Sequence, residues 1–154
     1  KLHAGVSTAL GYGGYVGRSI HVVPRVQYFL KDGWSIAAEY RYDDNSGSHT
    51  TFKGVGLNTR YYFLRLQHFA AFGGLSATYG QSKYFIDARG VYGMGGAIRK
   101  NSFQTNAELG IHYRLSSRWL IEASTERMLT EPAIPGIDAS PWRTRIGVSF
   151  RLGK

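Results

Sequence analysis

The chain has 154 residues, a formal net charge of +9, 20 glycines and an aromatic content of 14%. It lacks cysteine, which excludes a disulfide scaffold and thiolate metal sites. Mean hydropathy is −0.26, and no apolar run approaches the ~18 residues that a membrane-spanning helix needs. That excludes a transmembrane helix but not a transmembrane β-barrel, whose alternating strands average to neutral.

The length suits one domain covering residues 1–154. No signal-peptide pattern is present, so an exported protein of this sequence is expected in its mature form. The basic charge would suit nucleic acid only as a clustered stripe or a known module. The arginines are instead spread one or two per alternating segment, so nucleic acid is not an expected partner.

From Leu2 to Tyr12 apolar residues dominate the even positions, and His3, Gly5, Ser7, Ala9 and Gly11 take the odd ones. This is period-2 patterning, the mark of a strand. Gly11, Gly13 and Gly17 have a weak phosphate-loop spacing, but no helix follows. A second strand spans about Ile20 to Leu30, with Pro24 predicting a local bulge because it removes a ladder donor. Lys31-Asp32-Gly33 reads as a tight turn with Gly33 in the left-handed position, which leads into a third strand, Trp34 to Tyr42.

Asp43 to Thr51 is polar and reads as a loop. A fourth strand follows over about Phe52 to Phe63, then a fifth over Phe69 to Tyr79. Gly80 to Ser102 reads as the longest connection. Phe103 to Tyr113 and Trp119 to Arg127 form strands six and seven, and Met128 to Pro141 carries three of the four prolines.

The last segment, Trp142 to Leu152, alternates over eleven residues. Trp, Thr, Ile, Val, Phe and Leu occupy its even positions, and Arg143, Arg145, Gly147, Ser149 and Arg151 its odd ones. About ten residues is what a tilted strand needs to cross a bilayer, and a spanning strand must belong to a closed barrel.

The pattern therefore predicts eight strands with short connections at one rim and long ones at the other, an up-and-down barrel. The polar phase carries Arg25, Arg41, Arg60, Arg143, Arg145 and Arg151 with Glu39, Glu108, Glu122 and Glu126, interspersed with glycine. Small residues beside long charged ones suit a narrow, filled lumen, whereas glycine on a solvent face would weaken a strand.

The apolar phase carries aromatics near its ends. Tyr12, Tyr40, Tyr42, Phe52, Tyr79, Phe103 and Trp142 fall toward the long-loop rim. Tyr28, Trp34, Tyr61, Phe63, Phe69, Tyr113, Trp119 and Phe150 fall toward the short-turn rim. Two girdles around an aliphatic belt match a bilayer. The fold class expected is thus all-β, an eight-stranded antiparallel up-and-down transmembrane β-barrel.

With strand count, loop alternation and girdles in place, the chain resembles the small eight-stranded outer-membrane barrels of the OmpA/OmpX/OmpW-like group. Its ending, Gly147-Val148-Ser149-Phe150-Arg151-Leu152, is similar to the C-terminal signal read by the barrel assembly machinery, with Phe150 as the aromatic. It departs in running on to Gly153-Lys154. The resemblance implies a bacterial outer-membrane location, periplasmic termini, extracellular long loops, and contact with outer-membrane lipid and lipopolysaccharide. No periplasmic domain of the OmpA type is expected to follow.

The lumen set is read as structural: charges in an eight-stranded barrel must neutralise one another. The register set by the Lys31-Asp32-Gly33 turn pairs Arg25 with Glu39 and brings the β6–β7 glutamates near Arg143 and Arg145. Lys83, Arg89, Arg99 and Lys100, interleaved with aromatics, are candidate contacts for lipopolysaccharide phosphates or for another outer-membrane protein.

Two enzyme classes occur on barrels of the resembled kind. A lipid A deacylase would need a His-x-Ser pair, but Tyr113-Arg114 follows His112. An acyltransferase would draw on His21, Ser46 and His49. A small pore is a further alternative. The five histidines have no metal-ligand spacing. The expected role is therefore non-enzymatic, structural or interactive, without cofactor or metal.

Overall fold

The computed structural model describes residues 2–13, 17–30, 33–46, 49–86, 96–130 and 142–152. It contains eight strands: β1 Leu2–Gly13, β2 Gly17–Phe29, β3 Trp34–Asn45, β4 Thr50–Arg65, β5 Phe69–Ile86, β6 Gly96–Arg114, β7 Trp119–Met128 and β8 Trp142–Leu152. Each pairs antiparallel with the next, and β8 pairs with β1 to close the barrel. Leu2 faces both Tyr28 and Leu152, so the first and last strands begin and end at one rim.

The faces are inverted relative to a water-soluble protein. Val55, Leu57 and Ile146 on the outer face are 64%, 60% and 62% exposed, while Arg60 and Arg145 inside are at 0%. A continuous aliphatic exterior is stable only in hydrocarbon, and closure leaves no strand edge to satisfy there. The chain is an eight-stranded antiparallel up-and-down transmembrane β-barrel.

Cross-strand aromatic pairs ring the short-turn rim. Trp34 meets Tyr61 at 5.0 Å between ring centroids, Phe69 meets Tyr113 at 4.8 Å and Trp119 meets Phe150 at 5.0 Å. At the other rim Tyr79 faces Phe103 in register, and Lys53 and Arg127 lie 5.5 Å over the rings of Tyr42 and Trp142. These cations extend from the apolar surface toward the headgroups.

Phe52 departs from the expected girdle. It is on the lumen phase and 5% exposed, because its parity is that of Gly54, Asn58 and Arg60. The side chain of Tyr12 lies outside the described residues.

Several strands run further than the alternation indicates. Asp43, Asp44 and Asn45 belong to β3, and Gly80–Ile86 pairs residue for residue with Gly96–Ser102. Most of the expected long β5–β6 connection is therefore a ribbon that extends these two strands, and its lower half, Gly80–Tyr84, also pairs with Thr50–Gly54 of β4. Above the membrane the outer face no longer meets lipid and carries Gln81, Lys83, Arg99 and Asn101, so the apolar–polar alternation that reveals a spanning strand disappears while backbone pairing continues.

Gly33 adopts φ 83° in the β2–β3 turn, and the expected register follows: Tyr28 faces Ile36, Val26 faces Ala38 and Arg25 faces Glu39. Pro24 does not create a bulge. The β2–β3 ladder lapses at Val23 and Pro24 and resumes in the same register. The irregularity falls in β4 instead, between Tyr62 and Leu64.

Leu57 faces outward on β4 between Tyr61 of the short-turn girdle and Val55, which pairs with Tyr40 and Tyr79 of the long-loop girdle. Leu57→Arg should destabilise the barrel in lipid vesicles by about 2–4 kcal/mol, the cost of a guanidinium near the bilayer midplane. Gln81→Arg, higher on the same outer face of the neighbouring strand, should change stability by less than about 0.5 kcal/mol. Reversible urea unfolding checks both, and equal costs would refute the membrane level assigned here.

Candidate functional site

The polar interior is built from the inward phase of every strand. Glycine makes the room. A Cβ added at Gly74 would come within 2.8 Å of Glu108 Oε1 and 2.9 Å of Arg60 Cγ, and one at Gly110 within 2.5 Å of Phe72 Cζ. Long side chains from facing strands occupy the space these residues leave.

The network has two tiers. Toward the short-turn rim, Arg60 donates to Glu108 Oε1 at 2.5 Å and Oε2 at 2.9 Å, and to Glu122 at 2.7 and 3.2 Å. Arg25 also donates to Glu122, and His112 Nε2 lies 2.6 Å from the same carboxylate. Asn58 donates to Glu108 at 2.8 Å.

Toward the long-loop rim, Arg41 donates to Glu39 at 2.7 Å, to Glu126 at 3.1 and 3.3 Å and to Ser76 at 2.9 Å. Arg145 joins the tiers, 2.6 Å from Glu108 and 3.2 Å from Glu126. At the top, Arg143 lies 3.0 Å from Asp43, which also binds the His21 ring.

Arg25, Arg41, Arg60, Arg143 and Arg145 thus meet Glu39, Glu108, Glu122, Glu126 and Asp43, cation for carboxylate. Arg41 and Arg60 engage two carboxylates each through several nitrogens, while Arg25 and Arg145 reach theirs through Nη2 alone, in a low-dielectric interior where such charge-assisted bonds are strongest. Below the ionic tiers the lumen is aromatic. Tyr62 contacts Phe29, Phe72 and His112 at 5.3, 5.4 and 5.3 Å between centroids, and Arg60 stacks 4.3 Å over Phe72.

Ion-pair partners differ from the register pairs. Arg25 sits beside Glu39 in the ladder but reaches across the barrel to Glu122, while Glu39 is held by Arg41 two residues along β3. A long guanidinium in a narrow lumen spans to the opposite wall, so side-chain reach overrides adjacency. Arg145 lies near the glutamates as the register implies, whereas Arg143 takes Asp43.

Asp43 and His21 were not among the residues read from sequence as lumen charges. Extending the β3 parity of Glu39 and Arg41 by one step would have found Asp43.

The other candidates are dispersed. Lys83 and Arg99 are register partners on the outer face of the ribbon, and Lys100 faces Ser82 on its inner side. Arg89 lies outside the described residues. Phe150 lies on the outer face of β8, edge-on to Trp119 at 63° between ring planes. Among the described residues no group of three or more His, Cys, Asp or Glu side chains has metal-binding geometry.

This architecture recurs in solved structures. The N-terminal β-barrel domain of Pseudomonas aeruginosa OprF superposes with a TM-score of 0.60 at 16% identity, over 96% of each chain. Neisserial surface protein A gives 0.64 at 12% identity, over 98% of this chain and 96% of that one. The chain shares the fold of the small eight-stranded outer-membrane barrels. A de novo designed transmembrane β-barrel gives 0.56 at 14% identity, over 98% and 94% of the two chains. No family model matches the sequence, and a search of curated proteins finds no match. At these identities the likeness concerns fold, and a fold of this kind hosts many functions.

Arg60→Met leaves two buried carboxylates short of their partner and should cost about 3–5 kcal/mol. In double-mutant cycles, Arg25 and Glu122 should couple by about 1–3 kcal/mol and Arg25 and Glu39 by less than about 0.5. Urea titration of the four variants of each cycle checks this, and the reverse ranking would refute cross-lumen pairing.

Proposed function

We propose that the protein is a non-enzymatic barrel of a bacterial outer membrane that engages lipopolysaccharide through the outer face of its β5–β6 ribbon. The carrying observation is a vertical sequence of side chains on that face. Tyr79 and Phe103 face each other at girdle level, Gln81 faces Asn101 above them, and Lys83 faces Arg99 above those.

Four residues of strand rise about 13 Å, which carries the two cations from the aromatic interface into the phosphate-bearing layer. Like charges directly opposite each other on a sheet repel, and an anion seated between them turns that cost into binding. In this orientation the long connections are extracellular, the termini periplasmic, and Phe150 is presented outward on the last strand for the barrel assembly machinery.

The lumen supports a structural role. His112 is engaged by Glu122 and His21 by Asp43, so these two buried imidazoles belong to the charge network. No Ser occupies the second position after His112. Arg41, Arg60 and Arg145 fill the cross-section at mid-height, each at most 1% exposed, which argues against solute passage.

Lys83→Ala with Arg99→Ala should weaken binding to purified lipopolysaccharide several-fold and flatten its dependence on salt, because two screened contacts are lost. Surface plasmon resonance on detergent-solubilised barrel measures both. Unchanged binding would overturn the reading, and a stoichiometric protein co-purifying through the ribbon would replace it with a partner-binding role.

In planar bilayers the wild type should show no stepwise conductance. Steady ion channels would restore the pore alternative.

A further inference from the structure

The mouth at the short-turn rim has a composition that neither the lumen network nor the ribbon explains. It encloses a cavity of about 700 Å³ whose lining, among the described residues, includes Arg65, Arg114, Arg118 and Arg151 and no carboxylate. Among the described residues none of these four arginines forms an ion pair. Inside the barrel each cation is matched by an acid, whereas here positive charge accumulates in a concave, partly walled space, which concentrates its field.

The arginines are aimed inward by the backbone. Arg114 and Arg151 continue the lumen phases of β6 and β8, following His112 and Ser149. Arg65 reaches the mouth through the β4 irregularity. Tyr61 and Phe63 face outward, and uninterrupted alternation would put Arg65 on the lipid side.

The register shift between Tyr62 and Leu64 inserts one residue, so Arg65 pairs with Ala70 on the lumen phase. Its guanidinium carbon then lies 3.5 Å from the position a Cβ would take on Gly33, over the β2–β3 turn. Bulges of this kind redirect a side chain at barrel rims. Arg118 comes from the β6–β7 turn, whose carbonyl accepts a hydrogen bond from Arg151 N at 2.8 Å.

The floor is aromatic and well packed. Tyr62, Phe29 and His112 line it, with the Tyr62 hydroxyl accepting a bond from Gln27 at 2.9 Å. An apolar platform beneath several guanidinium forks, within the ~300–1,000 Å³ typical of small-molecule sites, suits a compact oxyanion. Arginines meant for the surrounding headgroups would lie on the outward phase, as Lys53 and Arg127 do at the opposite rim.

We infer that the short-turn mouth is a binding site for a phosphate-bearing anion, held by Arg65, Arg114, Arg118 and Arg151. The phosphate belongs either to a soluble compound on that side of the membrane or to a lipid headgroup folded into the mouth.

The test is calorimetric titration of the intact barrel, in a phosphate-free maltoside detergent, with inorganic pyrophosphate. Saturable binding that weakens with salt is expected. Arg65→Gln with Arg151→Gln should weaken it at least tenfold while preserving the heat-modifiable gel mobility of the folded barrel. Lys83→Gln with Arg99→Gln, at the opposite end, should leave it unchanged, so failure of the lipopolysaccharide reading would not be confused with failure of this one.

Absence of saturable binding at millimolar pyrophosphate would overturn the inference, as would equal losses in the two double variants. Repeating the titration in nanodiscs separates the sources. Pyrophosphate excluded by phosphatidylglycerol but admitted in phosphatidylcholine identifies a headgroup as occupant, and binding retained in both identifies a soluble phosphate compound.

Discussion

The barrel depends on a closed balance of buried charge. Among the described residues five arginines and five carboxylates pair in a lumen that an apolar core would fill in a soluble protein of this size. Burying any one of them alone would cost several kcal/mol, so their ionic partners are a condition of the fold. Because each guanidinium bridges two strands or more, the network also fixes the barrel's cross-section. Arg60 joins β4 to β6 and β7, Arg41 joins β3 to β7, and Arg145 joins β8 to β6.

The remaining features follow from that interior. Long side chains in a narrow lumen need absent ones opposite, which accounts for Gly74 beside Arg60 and Gly110 beside Phe72. Polar groups turned inward leave every alternate residue for the lipid, so the exterior is aliphatic at mid-height and aromatic at its margins. The stable frame leaves variation to its two ends. One carries the basic ribbon of β5 and β6, and the other the arginine-lined mouth.

Chemistry at those ends differs from chemistry in the middle because of water. Inside the lumen an unmatched charge is prohibitive, so Arg25, His21 and His112 are each engaged and unavailable to a ligand. At the rims a guanidinium is partly hydrated and can stand without an acid, as Arg65 and Arg151 do among the described residues. Excess positive charge is therefore tolerable at the rims, where water reaches it, while the described interior pairs cation with carboxylate.

The sequence by itself determined the number of strands, their faces, the membrane-inverted polarity and the Arg25–Glu39 register. Each rests on a local rule: alternation with period two, or the left-handed glycine at position 33. Tertiary structure alone decided which charges pair, since a guanidinium finds its carboxylate across the lumen, as Arg25 finds Glu122 from β2 to β7. It also decided the heights of β3 through β6, because strand outside the bilayer has no lipid-facing apolar phase and loses its period. Finally, it decided the direction of Arg65, which one extra residue in β4 turns from the lipid side to the mouth.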